Sequence, residues 1–90
     1  MKRRIHLMIY GEVQGVGFRS QVRQQARLIG IKGWVVNKPD GTVEVLSEGE
    51  ETKLQEFIRW CSRGPLGTTI TKVDTDWQDY KAEFTDFTVK

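Results

Sequence analysis

Apolar residues near the start of the chain recur at every second position, and their spacing changes after a glycine-rich stretch. Ile5, Leu7 and Ile9 follow the period-two pattern of a strand with one buried face, which Val13 continues. Beyond the glycines the apolar spacing becomes four, four and three, which predicts a helix that ends at Gly30. The apolar positions of this helix are Phe18, Val22, Ala26 and Ile29. Its outer face is predicted to carry Gln21, Arg23, Gln24, Gln25 and Arg27.

The middle of the chain predicts a hairpin followed by a second helix. Strands are expected over residues 33–37 and 42–48, joined by a tight Lys-Pro-Asp-Gly turn at residues 38–41. The helix is expected to open at the two glutamates of residues 50–51, where the helix dipole favours negative charge, and to end at Gly64. Its apolar stripe is Leu54, Phe57, Ile58 and Cys61.

The last third of the chain is strand-like over residues 69–77 and 84–89, but its alternation is poor. Ile70 and Val73 are three residues apart, which predicts a bulge or an irregular edge. The element order is therefore β-α-β-β-α-β, with one further short strand. This order predicts an α+β, ferredoxin-like fold with two helices on one face of a largely antiparallel four- or five-stranded sheet. Residues 1–90 are expected to form one domain, but this fold hosts many functions.

The composition argues against several kinds of site and partner. With 14 basic and 12 acidic residues the net charge is +2, so no strong field favours nucleic acid or a membrane surface. No apolar run is long enough to span a bilayer. A single cysteine and a single histidine, Cys61 and His6, argue against a zinc site or a Cys/His nucleophile pair. We therefore expect no metal, no cofactor and a cytoplasmic location, where a lone thiol stays reduced.

Residues 15–19, which read Gly-Val-Gly-Phe-Arg, lie between the first predicted strand and the first helix. Unpaired N–H groups at a helix N-terminus and a close-approaching glycine backbone are the parts of a phosphate cradle. No Lys-Ser or Lys-Thr pair follows, and Ser20 stands where a dinucleotide fingerprint needs a third glycine. Judged by spacing alone, a tight strand-to-helix turn explains the two glycines at least as well.

Arg19 brings a positive charge into the first helical turn, where the helix dipole disfavours it. A bound phosphate would balance that charge, and a guanidinium fork matches two phosphate oxygens. A surface arginine lying along apolar neighbours explains the position equally well. The residues alone leave both interpretations open.

Three segments together form a pattern far more specific than a glycine motif. They are Gly11-Glu12-Val13-Gln14-Gly15-Val16-Gly17-Phe18-Arg19, Gly33-Trp34-Val35-Val36-Asn37 and Asp40-Gly41-Thr42-Val43-Glu44. This pattern resembles the acylphosphatase family. The resemblance implies a hydrolase that binds phosphate through Gly15, Val16, Gly17, Phe18 and Arg19. It also implies catalytic roles for Arg19, as the essential cation, and for Asn37, which would position the attacking water; without the resemblance, Asn37 is best explained as a turn residue.

The resemblance further implies a small-molecule acyl phosphate as substrate and inorganic phosphate as product. The chain is also expected to be a monomer that needs neither nucleic acid nor membrane. Three alternatives stay open: an RNA-binding module using Tyr10 and Lys72 on the open sheet face, a regulatory domain without turnover, and an enzyme whose substrate is carbamoyl phosphate. The RNA module is disfavoured because the aromatic and basic motif that such modules carry is absent.

Overall fold

Five strands and two helices build the fold, and the computed structural model describes residues 1–15, 17–65 and 67–90. The elements are β1 (Lys2–Glu12), α1 (Phe18–Ile29), β2 (Lys32–Asn37), β3 (Val43–Glu50), α2 (Glu51–Arg63), β4 (Thr69–Asp79) and β5 (Phe87–Val89). The strand order is β4-β1-β3-β2-β5. The β2–β5 pair is parallel and the other pairs are antiparallel. The ferredoxin-like arrangement is thus confirmed, with five strands.

The core lies between the sheet and the two helices. The alternating residues of β1 are fully buried, as their period predicted, and both helices bury the apolar stripes expected from the sequence. Ile58 is the exception and is only partly buried. Cys61 belongs to the core, where burial raises the pKa of its thiol far above the usual range.

The helix boundaries follow the predicted stop signals closely. Gly30 ends α1, and its N–H donates to the carbonyl of Ala26 over 2.9 Å. Gly64 ends α2 in the same way, through a 3.0 Å bond to Trp60. The start of α2 lies at Glu51, because Glu50 still belongs to β3.

The predicted irregularity between Ile70 and Val73 is a bulge in the edge strand β4. Tyr10 of β1 pairs with Lys72, but the next residue pairs with Ile70, so Thr71 is left over. The bulge is confirmed, and it explains why the apolar alternation of this strand is interrupted.

The last strand is shorter than the predicted 84–89 and covers only Phe87–Val89. The N–H groups of Lys81 and Glu83 donate to the carboxylate of Glu48, over 2.7 and 2.9 Å, instead of to a neighbouring strand. The segment before β5 is therefore held on a side chain, and strand pairing with β2 begins only at Phe87.

Glu48 and Arg4 form a buried ion pair between neighbouring strands. Their side chains are 2% and 8% exposed, and Arg4 Nη1 lies 3.4 Å from Glu48 Oε2. Arg4 also pairs with Glu83 and lies over the ring of Phe84. Burial alone would raise the pKa of Glu48, but the two backbone N–H donors and Arg4 hold it below its usual range. The pair therefore anchors the connection between β4 and β5.

We expect Glu48→Gln to lower the free energy of unfolding at pH 7 by about 3 kcal/mol, since it breaks a buried ion pair. The pKa of Glu48 is depressed in the folded state, so its stabilisation is complete above the ordinary carboxyl pKa of about 4.3 and is lost as the pH falls through the depressed value. The difference between wild type and variant should accordingly shrink below pH 5. Urea unfolding across this pH range measures it.

Glu50→Gln is the matched control. Glu50 pairs with the N-terminal ammonium group over 3.1 Å at an exposed site, so its loss should cost only about 0–1 kcal/mol. An equal loss of stability in both variants would contradict the special role of the buried pair.

Candidate active site

The chain turns from β1 into α1 through a left-handed backbone. Gly15 has φ 78° and Gly17 has φ 75°. A Cβ atom at either position would meet open space, so the backbone conformation and not crowding favours glycine here. An L-residue in this conformation costs roughly 1–2 kcal/mol. Val16, which the resemblance also places in the phosphate loop, lies outside the described residues.

The N-terminus of α1 is open to a ligand. Gly17 supplies no side-chain cap, and the first turn holds no acidic residue. The helical hydrogen bond from Gln21 N to Gly17 O, 3.2 Å long, is the first of the helix, so the N–H groups before it lack an intrahelical acceptor. Uncapped N–H groups and the positive end of the dipole together favour an anion.

A cleft of about 300 Å³ lies in front of this helix N-terminus. Its described lining consists of Val13, Gly15, Gly17, Phe18, Arg19, Ser20, Arg23, Asn37 and Val89. The fold thus brings Asn37, at the end of β2, to the same cleft as the loop between β1 and α1. Among these lining residues there are two arginines and no Asp, Glu, His or Cys.

Arg19 reaches the cleft from the first turn of α1. The side chain is half-buried, and its Nη1 lies 3.4 Å from the carbonyl oxygen of Lys90. This distance is longer than an ordinary N–H···O bond of about 2.7–3.2 Å. The guanidinium is therefore only weakly engaged by the protein, and it keeps donors for an anion in the cleft.

Asn37 presents an amide that the described residues leave unbonded. Its Oδ1 is buried and accepts no hydrogen bond from the part of the chain that the structure describes. An unsatisfied buried acceptor of this kind costs about 1–3 kcal/mol. The amide of Asn37 therefore keeps hydrogen-bonding capacity that a ligand or water in the cleft can use.

Both the sequence and the fold have counterparts among known proteins. A family model described as Acylphosphatase matches residues 5–89. The chain belongs to the acylphosphatase family. It is 43% identical over 86 residues to an acylphosphatase of Pelotomaculum thermopropionicum, with 96% of this chain and 94% of the relative covered. It is 48% identical over 80 residues to one of Thermococcus kodakarensis, covering 88% of each. The crystal structure of acylphosphatase from Bacillus subtilis superimposes with a TM-score of 0.93 at 32% identity, covering 100% of this chain and 99% of that one.

The Gln14 side chain joins the glycine loop to the turn after Asn37 on the other side of the cleft, a contact that the sequence did not predict. Its Nε2 donates to the carbonyls of Lys38 and Thr42, over 2.8 and 2.9 Å. Lys38 directly follows Asn37, so one amide ties the loop to the turn that carries Asn37. Its partners are backbone carbonyls 24 and 28 residues away, and no local sequence signal marks such partners.

The turn between β2 and β3 is itself fixed by Asp40. Its carboxylate accepts hydrogen bonds from the N–H and the hydroxyl of Thr42, which are 3.0 and 2.6 Å long. Both bonds lower the pKa of Asp40, and the bond from the hydroxyl has the larger effect. The carbonyl of Thr42 accepts from Lys38 N over 2.9 Å. The predicted hairpin turn is confirmed, and its carbonyls are held in place for Gln14.

Arg23 also lines the cleft, although its spacing predicted the outer face of α1. It lies four residues after Arg19, so both side chains project from the same side of the helix. The i, i+4 repeat of arginine was the signal that could have located it. Ser20, Val13 and Val89 complete the lining and were likewise not predicted.

His6, Tyr10 and Lys72 lie away from the cleft, on the sheet face opposite the helices. His6 is half-exposed, close to the expected solvent-facing position, and its Nε2 lies 2.7 Å from Glu44 Oε2. That bond lowers the pKa of Glu44. Lys72 Nζ lies 5.2 Å from the centre of the Tyr10 ring, so the two candidate RNA-binding residues form a cation–π contact with each other.

Residues 1–15, 17–65 and 67–90 contain neither a clustered metal site nor a membrane-spanning helix. No group of three or more His, Cys, Asp or Glu side chains in these ranges is arranged to hold a metal ion. Neither helix within them has the length and apolar character needed to cross a membrane.

Proposed function

We propose that the chain hydrolyses the carboxyl–phosphate bond of acyl phosphates in this cleft, releasing a carboxylate and inorganic phosphate. We further propose that residues 1–90 act as one domain for this purpose. The observation that carries the proposal is the meeting of Arg19, the uncapped start of α1 and the unbonded amide of Asn37 in a single cleft lined by no described carboxylate.

The phosphoryl group would bind at the start of α1. The N–H groups of Gly15 and of residues 17–19 would donate to its oxygens, and the Arg19 guanidinium would donate to two of them at once. These donors are in place before the reaction begins. They therefore stabilise the charge that develops on the phosphoryl oxygens in the transition state.

Asn37 would hold the attacking water on the other side of the phosphorus. The oxygen of that water attacks phosphorus while the bond from phosphorus to the acyl oxygen breaks and its electron pair leaves with the carboxylate. The proton of the water goes to a phosphoryl oxygen, because a carboxamide cannot accept it at neutral pH. The role of Asn37 is thus to orient the water in line with the breaking bond.

The chemistry of the leaving group explains why this lining suffices. A carboxylate leaves with a conjugate-acid pKa of about 4, so its departure needs no proton. The described lining offers no imidazole, thiol or carboxyl group that would donate one. Acyl phosphates fit such a site, and phosphate esters of simple alcohols do not.

We further propose a small, metal-independent monomer in the cytoplasm that uses no nucleic acid or membrane, and three features bear on metal, nucleic acid and location. The described cleft lining holds no carboxylate, imidazole or thiol, the side chains that most often bind a divalent metal, and its two guanidinium groups would repel a cation. The ring of Tyr10, which an RNA-binding sheet would use for stacking, already faces Lys72. The buried thiol of Cys61 suits a reducing compartment.

The proposal is tested by comparing benzoyl phosphate with a simple alkyl phosphate in the presence of a chelator. We expect turnover of benzoyl phosphate and none of the alkyl ester, which should instead act as a weak competitive inhibitor. An alkoxide leaving group needs a general acid, worth about 10²–10⁴-fold, that the cleft lacks. Similar turnover of both compounds, or a requirement for added divalent metal, would contradict the proposal.

Arg19→Lys should lower kcat/KM for benzoyl phosphate by roughly 10³-fold, nearly as much as Arg19→Ala, because an ammonium group cannot make the two-point contact. Steady-state kinetics and inhibition by inorganic phosphate measure the effect. Arg27→Lys is the control, since Arg27 lies on the same helix but pairs with Asp86 over 2.9 Å outside the cleft. High activity in the Arg19→Lys variant would rule out a bidentate role.

Asn37→Ala should lower kcat by about 10²-fold or more and leave the inhibition constant of inorganic phosphate nearly unchanged. A group that holds the water but not the phosphate acts only in the transition state. Asn37→Asp provides the contrast, because its negative charge should weaken phosphate binding as well. Parallel losses of kcat and phosphate affinity in the alanine variant would show that Asn37 binds phosphate.

A further inference from the structure

Three arginines, Arg19, Arg23 and Arg27, follow one another at four-residue spacing along the flank of α1 that faces β5. The outer two are engaged there: Arg19 Nη1 lies 3.4 Å from the carbonyl oxygen of Lys90, and Arg27 Nη2 lies 2.9 Å from Asp86 Oδ2. Arg23, between them, makes no hydrogen bond or ion pair with any residue in the described ranges. The flank thus holds a cation that the described part of the fold does not use.

The arrangement is unfavourable for the helix by itself. Like charges four residues apart repel, and Arg23 has such a neighbour on both sides. The carboxylate of Asp86 interacts electrostatically with Arg23. The pKa of Asp86 is lowered first by the N–H of Phe87, then by Arg27 and to a smaller extent by Arg23. Asp86 is already bonded to Arg27, so it compensates Arg23 only in part. A local arrangement that opposes folding in this way marks a functional position.

Arg23 is half-buried and lines the same cleft as Arg19. It lies one helical turn, about 6 Å along the axis, beyond Arg19. Ser20 lines the cleft between the two and adds a hydroxyl. A phosphoryl group held by the loop and Arg19 would therefore leave Arg23 to a second anionic group, and no described carboxylate in the lining competes for it. The volume of about 300 Å³ has room for a small ligand with both groups.

We propose that Arg23 binds an anionic group on the acyl part of the substrate. The preferred substrates would then be acyl phosphates with a second negative charge, such as the monoacyl phosphate of a four-carbon dicarboxylic acid. This inference rests on the proposed hydrolysis of acyl phosphates and names the class of acyl group. The contact forms before and during the reaction alike, so it should appear in KM and not in kcat.

The test compares succinyl phosphate with levulinoyl phosphate, in which a methyl ketone replaces the terminal carboxylate at nearly the same size. Wild type should show a lower KM for succinyl phosphate at similar kcat. Arg23→Gln should raise the KM for succinyl phosphate by about tenfold or more and leave that for levulinoyl phosphate unchanged. Arg27→Lys, which keeps a positive charge beside Asp86 on the same flank but outside the cleft, should change neither.

Two outcomes would overturn the inference. Equal increases in KM for both substrates in Arg23→Gln would mean that Arg23 binds the phosphoryl group, and no increase in either would mean that it binds no substrate. A further test uses wild type alone and therefore does not depend on whether the variant folds. If succinate inhibits wild type no better than levulinate does, the proposed contact between Arg23 and a second anionic group is contradicted. Failure of wild type to hydrolyse either acyl phosphate would instead refute the underlying activity.

Discussion

The cleft depends on the two hydrogen bonds by which the Gln14 amide holds the carbonyls of Lys38 and Thr42. The glycine loop leaves β1 and enters α1, whereas Asn37 stands at the end of β2, which is not adjacent to β1 in the sheet. Strand pairing therefore does not join these segments directly. The Gln14 amide uses both of its N–H donors to join them, and Asp40 holds the accepting turn in shape. The glycine loop and the Asn37 amide are thus held at a fixed spacing.

Positive charge is handled differently at the two ends of the molecule. Arg4 is buried with Glu48 beside it, and backbone donors from the β4–β5 connection complete the set. Arg19 and Arg23 face a cleft without a described carboxylate. A charge that is balanced inside the protein contributes to holding the chain together, and one left unbalanced attracts an anion from solution.

The elements were predictable from the sequence because their signals are local. The period of Ile5, Leu7 and Ile9, the stop at Gly30 and even the bulge near Thr71 are all visible within a few residues. The start of the last strand was not predictable, because the backbone of residues before Phe87 bonds to the distant side chain of Glu48 instead of to a strand. In the cleft, helix electrostatics indicated the loop but left the role of Arg19 open, and Asn37 was identified only through the family resemblance. Gln14 was missed because its partners lie in a remote segment, and Arg23 was missed although its four-residue spacing from Arg19 is a local signal.

The parallel pairing of β2 with β5 has a consequence for how the protein folds. Val89, one wall of the cleft, belongs to β5, and Gly33 pairs with Phe87 across most of the chain. Contacts between such remote residues require closure of a long loop and tend to form slowly, whereas the β2–β3 hairpin needs only a short one. We therefore expect the hairpin turn and the glycine loop to form before the cleft is complete. Recovery of ligand binding then reports the arrival of the last strand, a later event than the gain of helix and sheet.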